Sequence, residues 1–165
     1  MRKILLITML LLSFASIAFA RIDRAELSAG GVSIGQKFSD VTAVYGQPVQ
    51  KKPYGVMIMR NGSICSFAGK WAGFEVLVNN NTGEVAGMFI RNSDISTIAG
   101  IKIGATLDNV KAVYGKPDRD IKTGPVPFIG YICEFEKNIG VQMSFYYDSN
   151  SVVKIDMQPW YDFAP

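Results

Sequence analysis

The chain has 165 residues, with 17 basic and 14 acidic side chains and no histidine. Without histidine there is no Ser-His-Asp or Cys-His catalysis, and the usual zinc sites go too. The basic residues are scattered along the chain, whereas a nucleic-acid partner needs them clustered on one face.

Residues 1–20 read as an export signal. Arg2 and Lys3 form a positive start, "ILLITMLLLSFASIA" is an uncharged apolar run, and "AFA" at 18–20 offers the small residues a signal peptidase reads. A retained anchor is the alternative, but the run is shorter than the ~20 apolar residues of a usual span. Cleavage after Ala20 leaves 15 basic residues against 14 acidic ones, a net charge of +1. No cysteine follows the cleavage point, so a lipid anchor is not expected. The expected address is periplasmic or secreted, with no stable membrane anchor after cleavage.

After an N-terminal segment, 21–29, comes "GGVSIGQK" at 30–37. A phosphate loop needs Lys and then Ser or Thr straight after its second glycine, and here Gln36 and Lys37 follow Gly35. The glycine reads as a turn before a helix. In "IGQKFSDVTAVYGQP" (34–48), Phe38, Val41, Val44 and Tyr45 fall at i, i+3, i+6 and i+7, one stripe of a two-turn helix. Lys37 is a poor N-cap, which leaves Ser39 as the candidate. Gly46 suits a left-handed C-terminal position and Pro48 stops the helix. Then follow "YGVMIM", "SICSFAG", "FEVLVN" and "EVAGMFI", short β-rich runs separated by turn residues, the signature of antiparallel hairpins.

The same programme then recurs. "IGATLDNVKAVYGKP" (103–117) matches the first helix at a constant offset of 69, with Leu107, Val110, Val113 and Tyr114 on the stripe and Thr106 as N-cap. "FIGYICEFE", "GVQMSFYY" and "VVKIDM" follow. "ICSF" at 64–67 matches "ICEF" at 132–135, and "VAGMFI" at 85–90 matches "VVKIDM" at 152–157. The expected fold is α+β: two tandem modules, 30–98 and 99–165, each a short helix packed on a three- to four-stranded antiparallel sheet.

A glycine, a short helix ending in V…YG-x-P, and a small antiparallel sheet resemble the SmpA/OmlA (BamE-like) module. Two in tandem resemble the beta-lactamase inhibitory protein fold. The residues that carry this are Gly35, Val41, Tyr45, Gly46 and Pro48, with Gly104, Val110, Tyr114, Gly115 and Pro117. The resemblance implies either a concave sheet face that grips a protein loop or a small scaffold in an envelope-assembly complex. The chain departs from the second family in lacking its lipid-anchoring cysteine. It departs from the first because one cysteine per copy cannot form that family's in-module disulfides.

Catalytic candidates are few. Asp118 with Asp120, and Glu134 with Glu136, are spaced i, i+2 and share a strand face, but they read as solvated charges rather than a glycosidase pair. "DSNS" at 148–151 is a hairpin turn without calcium-loop spacing. No enzyme activity, metal or cofactor is expected. Cys65 and Cys133 occupy equivalent "I-C-x-F" positions. In an exported protein they either bridge the two copies or sit apart, each in its own core.

Alternation sorts the strand residues by face. Val141, Met143, Phe145 and Tyr147 should meet the helix, leaving Gln142, Ser144 and Tyr146 outward. Glu75, Leu77 and Asn79, then Val85 and Phe89, and Val152, Lys154 and Asp156 are outward by the same logic. Trp71, on an expected strand connection, and Trp160 and Tyr161 in the tail add large aromatics. The expected function is non-enzymatic recognition of a protein or peptide of the cell envelope through Trp71, Leu77, Phe89, Tyr146, Trp160 and Tyr161 on the open sheet face. The alternative is a structural or accessory factor of envelope assembly without a discrete ligand.

Overall fold

The computed structural model describes residues 22–59, 62–137 and 139–161, with the side chains of 55–67 and 161 outside that description. The segment read as an export signal also lies outside the described residues. The elements are β1 (Ser28–Ala29), β2 (Val32–Ser33), α1 (Phe38–Tyr45), β3 (Gln50–Met59), β4 (Gly62–Trp71), β5 (Phe74–Asn79), β6 (Val85–Ile90), α2 (Leu107–Tyr114), β7 (Arg119–Ile121), β8 (Phe128–Glu136), β9 (Ile139–Asp148) and β10 (Ser151–Tyr161). The class is α+β, and antiparallel pairing dominates it.

Both helices stop, and α2 starts, as their sequences dictate. Thr106 accepts a hydrogen bond from the Asn109 N–H at 3.2 Å, a side-chain N-cap. Lys37 holds the same place in α1 without a side-chain cap, and Ser39 does not replace it: its hydroxyl meets Asp40 instead. Gly46 and Gly115 close the helices at φ 73° and 75°, a backbone that favours glycine. The sheet supports both ends. Trp71 Nε1 donates to the Gly46 carbonyl at 3.3 Å, and the Tyr131 hydroxyl donates to the Gly115 carbonyl at 3.1 Å. Helices of two turns are marginal alone, so this docking accounts for much of their stability.

The strands β3 to β10 form one eight-stranded sheet in the order β3-β4-β5-β6-β10-β9-β8-β7. The short edge strand β7 and the small β1–β2 hairpin were not legible in the sequence. In the middle, β6 pairs antiparallel with β10 through Met88↔Met157, Phe89↔Asp156 and Ile90↔Ile155. β10 runs on to Tyr161, and Trp160 pairs with Gly140.

Both helices and the N-terminal segment cover one face of the sheet. There Val41, Leu107, Val110 and Tyr114 join Val76, Val78, Met88, Ile90, Met143, Phe145, Ile155 and Met157 in one buried cluster. Tyr114 lies 5.4 Å from Tyr131 and 5.5 Å from Phe145, ring centre to ring centre. Val85 and Val152, expected outward, lie in this core. The reason is a β-bulge on each strand. The register shifts between the pairs Leu77↔Gly87 and Val78↔Val85, and again between Val152↔Tyr147 and Lys154↔Tyr146. Ala86 and Val153 are the extra residues, and an extra residue reverses the alternation beyond it.

Burial raises the pKa of the Tyr114 and Tyr131 phenols above 10.0. The folded state therefore keeps these protons to a higher pH than the unfolded chain does. Their contribution is fully present below about pH 10 and is lost as pH climbs through the folded values. Urea midpoints measured across that range should fall from about pH 10 upward, and Tyr131→Phe should flatten the fall.

Candidate functional site

The face away from the helices carries its own cluster of chemistry at the β6–β10 seam. Asp156 is 2% exposed. Its Oδ1 lies 2.7 Å from Arg91 Nη1 and its Oδ2 lies 2.8 Å from Lys154 Nζ. Gln158 Nε2 donates to the same Oδ2 at 3.4 Å. Arg91 follows the end of β6, and its Nη1 also donates to the carbonyls of Ile90 and Ile155, which fixes the side chain across the seam. Two cations thus share one buried carboxylate.

Aromatic rings wall this group on both sides. Lys154 Nζ stands 3.5 Å from the centre of the Tyr146 ring, and the Arg91 guanidinium lies 5.7 Å from that of Phe89. Tyr54 on β3 is 5.8 Å from Phe89, and Phe128 on β8 is 5.2 Å from Tyr146. Burial, then the Asp156 charge, raises the Tyr146 phenol, so it stays a neutral hydrogen-bond donor at ordinary pH. Tyr54 is raised first by burial and then by Glu75 and Asp156. A cleft of about 260 Å³ opens beside the group, lined by Tyr54, Lys70, Gly73, Phe74, Glu75, Phe89 and Arg91. Lys70 and Glu75 are direct cross-strand neighbours in the β4–β5 register.

The residues expected to bind a partner divide between the two faces. Phe89 and Tyr146 flank the ion cluster, Tyr146 half-buried and Phe89 buried, so Phe89 packs within the face rather than standing exposed on it. Leu77 is on the same face, but it is 2% exposed and packs with Ala68 and Phe89. Trp160 falls on that face by alternation from Asp156, half-buried. Its indole N–H is enclosed without a hydrogen-bond partner among the described residues. Trp71 is corrected. It ends β4 rather than lying in a connection, is 8% exposed, and packs under α1 with its ring centre 5.9 Å from that of Tyr45 and 6.1 Å from that of Phe74. It is core. Tyr161 pairs with Ile139 through its backbone, and its side chain lies outside the described residues.

The possible Cys65–Cys133 bridge is also corrected, on strand order. Cys65 is on β4 opposite Val56, its side chain outside the described residues, and Cys133 is buried on β8. Four strands lie between β4 and β8. At about 4.8 Å per strand spacing they stand ~24 Å apart, whereas a disulfide needs Cα atoms within about 7 Å. Adding a thiol reductant should leave the melting temperature unchanged; a drop would reveal the bridge.

The carboxylate pairs do not converge. Asp118 accepts a hydrogen bond from the Ile132 N–H at 2.7 Å, Asp120 faces Lys122 at 3.8 Å, and a register shift separates Glu134 from Glu136. No group of three or more Cys, Asp or Glu side chains able to hold a metal ion occurs among the described residues. Arg91, Tyr54 and Phe128 were missed in the sequence. Only the alternation of "FIGY" hinted at Phe128; Arg91 stands one residue past a strand, where alternation says nothing about reach.

No family model matches the chain, and no curated protein matches it. Among solved structures, it superposes on a cysteine-rich secretory protein from Staphylococcus aureus with a TM-score of 0.50 at 14% identity, covering 82% of this chain and 48% of that one. An extracellular protein containing an SCP domain from Bacillus anthracis gives 0.49 at 12% identity, covering 76% of this chain and 43% of that one. The uncharacterized protein YfeY from Escherichia coli gives 0.42 at 14% identity, covering 86% of this chain and 100% of that one. The chain spans less than half the length of the first two. At these identities the likeness speaks to the fold alone. No helix among the described residues is long and apolar enough to cross a membrane.

Proposed function

We propose that this is an exported, non-enzymatic binding protein that grips a protein or peptide partner of the cell envelope through the open face of its sheet. Its body is a duplicated unit of one helix and four strands, joined edge to edge at β6–β10. The strand order, which runs β3 to β6 and then β10 back to β7, supports the duplication. So does the seam: the repeat makes Phe89 and Asp156 equivalent, and they pair with each other, as residues beside a twofold axis must. The bulged residues Ala86 and Val153 are equivalent as well.

One observation carries the functional reading. The Arg91–Asp156–Lys154 group, set between Phe89 and Tyr146, occupies the centre of the face that neither helix covers. Toward the helices, equivalent positions of the two copies are apolar in both: Val76 with Phe145, Val85 with Val152, Met88 with Ile155, Ile90 with Met157. On the open face they differ in kind: Leu77 with Tyr146, Gly87 with Lys154, Phe89 with Asp156, Arg91 with Gln158. The fold demands the first set and not the second. Aromatics with arginine, partly desolvated at the centre of a face, are the usual makings of a recognition surface.

A photo-cross-linking residue placed at Tyr146 in the producing cells should give one adduct of defined mass. The same residue at Val113, which is exposed on α2, should give none. Equal labelling from both positions, or none from either, would contradict the reading.

A further inference from the structure

We infer that the partner presents a carboxylate, carried on an acidic residue of an extended peptide segment, to the cations of the β6–β10 seam. This rests on the binding reading above and follows from the charge arrangement on the open face. Lys70 and Glu75 stand opposite each other in the β4–β5 register and add one charge of each sign to the face. Among the described residues Arg91 and Lys154 form ion pairs only with Asp156, which leaves one positive charge in excess within the group. The Asp156 side chain is 3% exposed, while those of Arg91 and Lys154 are 42% and 29% exposed, so at the seam an incoming ligand meets these cations before Asp156. Every hydrogen bond of Arg91 among the described residues leaves from Nη1. Nε and Nη2 therefore remain to take a carboxylate, the group an arginine fork fits best. Phe89 and Tyr54 wall the adjoining cleft with apolar surface, where a neighbouring aromatic or aliphatic side chain of the same segment would sit.

The test uses the peptide acetyl-Gly-Phe-Glu-Phe-Gly-amide and its Gln counterpart, titrated into isotopically labelled protein and followed by NMR. The glutamate peptide should shift the amide signals of Phe89, Arg91, Lys154 and Asp156, and the glutamine peptide should bind at least about tenfold more weakly. Lys154→Gln should erase that preference, and Lys154→Arg should keep it. Equal shifts from both peptides would overturn the carboxylate inference and leave the binding reading standing. So would an unshifted face in a protein that still forms the Tyr146 cross-link. An unshifted face together with no cross-link would overturn both.

Discussion

Phe145→Ala should lose about 3–5 kcal/mol of stability, a large fraction of the roughly 5–15 kcal/mol typical of a natural protein. Phe145 is fully buried on the helix face of β9, between Ile129 of β8 and Ile155 of β10. Its ring meets Tyr131 edge-on at 6.0 Å and Tyr114 of α2 at 5.5 Å. Alanine there opens a cavity under the helix that these rings hold down, and the sheet backbone is too constrained to collapse into it. The neighbouring Tyr146→Ala removes a half-buried ring from the opposite face and should cost less than about 1.5 kcal/mol, in the range of an aromatic contact beyond its area. Urea denaturation of both variants checks the pair. Similar losses at 145 and 146 would contradict the assignment of faces.

Arg91→Met combined with Lys154→Met should cost about 3–5 kcal/mol, because it leaves the Asp156 carboxylate buried without a counter-charge. Each single substitution should cost well under half of that, since the other cation still answers Asp156. Changing all three, with Asp156→Leu added, should restore most of the loss, because apolar replacement of a buried ion group is often neutral or stabilising. Denaturant midpoints of the wild type, the two single variants and the double variant close a cycle, and the triple variant separates the charge group from the packing around it. A double variant as stable as the wild type would show that the group is not buried as described. The triple variant also gives a folded protein whose β6–β10 seam has lost its charges.

Much of this architecture was legible because strong local signals recur along the chain. The V…YG-x-P endings place α1 and α2, since glycine readily takes the positive φ that closes a helix and a proline two residues on does not continue it. Strict alternation in β9 assigned Val141, Met143 and Phe145 to the core and Tyr146 to the open face, and no bulge intervenes to upset it. Alternation failed at Val85 and Val152 because Ala86 and Val153 each add a residue that no sequence period marks. The edge-to-edge joining of β6 and β10 was not legible either, since pairing between distant strands depends on backbone hydrogen bonds that every residue offers alike. Trp71 was misplaced for a related reason. Its side chain fills the space beneath α1, and nothing local in "GKWAG" says that a helix lies there. The ion group fell between these cases: Lys154 and Asp156 were read outward, but Arg91 reaches them from one residue beyond its strand.

The most direct measurement is retention of an envelope partner by immobilised wild-type protein and by the Arg91→Met/Asp156→Leu/Lys154→Met variant, after both are shown to melt at similar temperatures. The protein cross-linked through Tyr146 should be held by the wild type and lost by the variant. If the folded variant holds it equally well, the seam of the open sheet face is not where this protein recognises its partner.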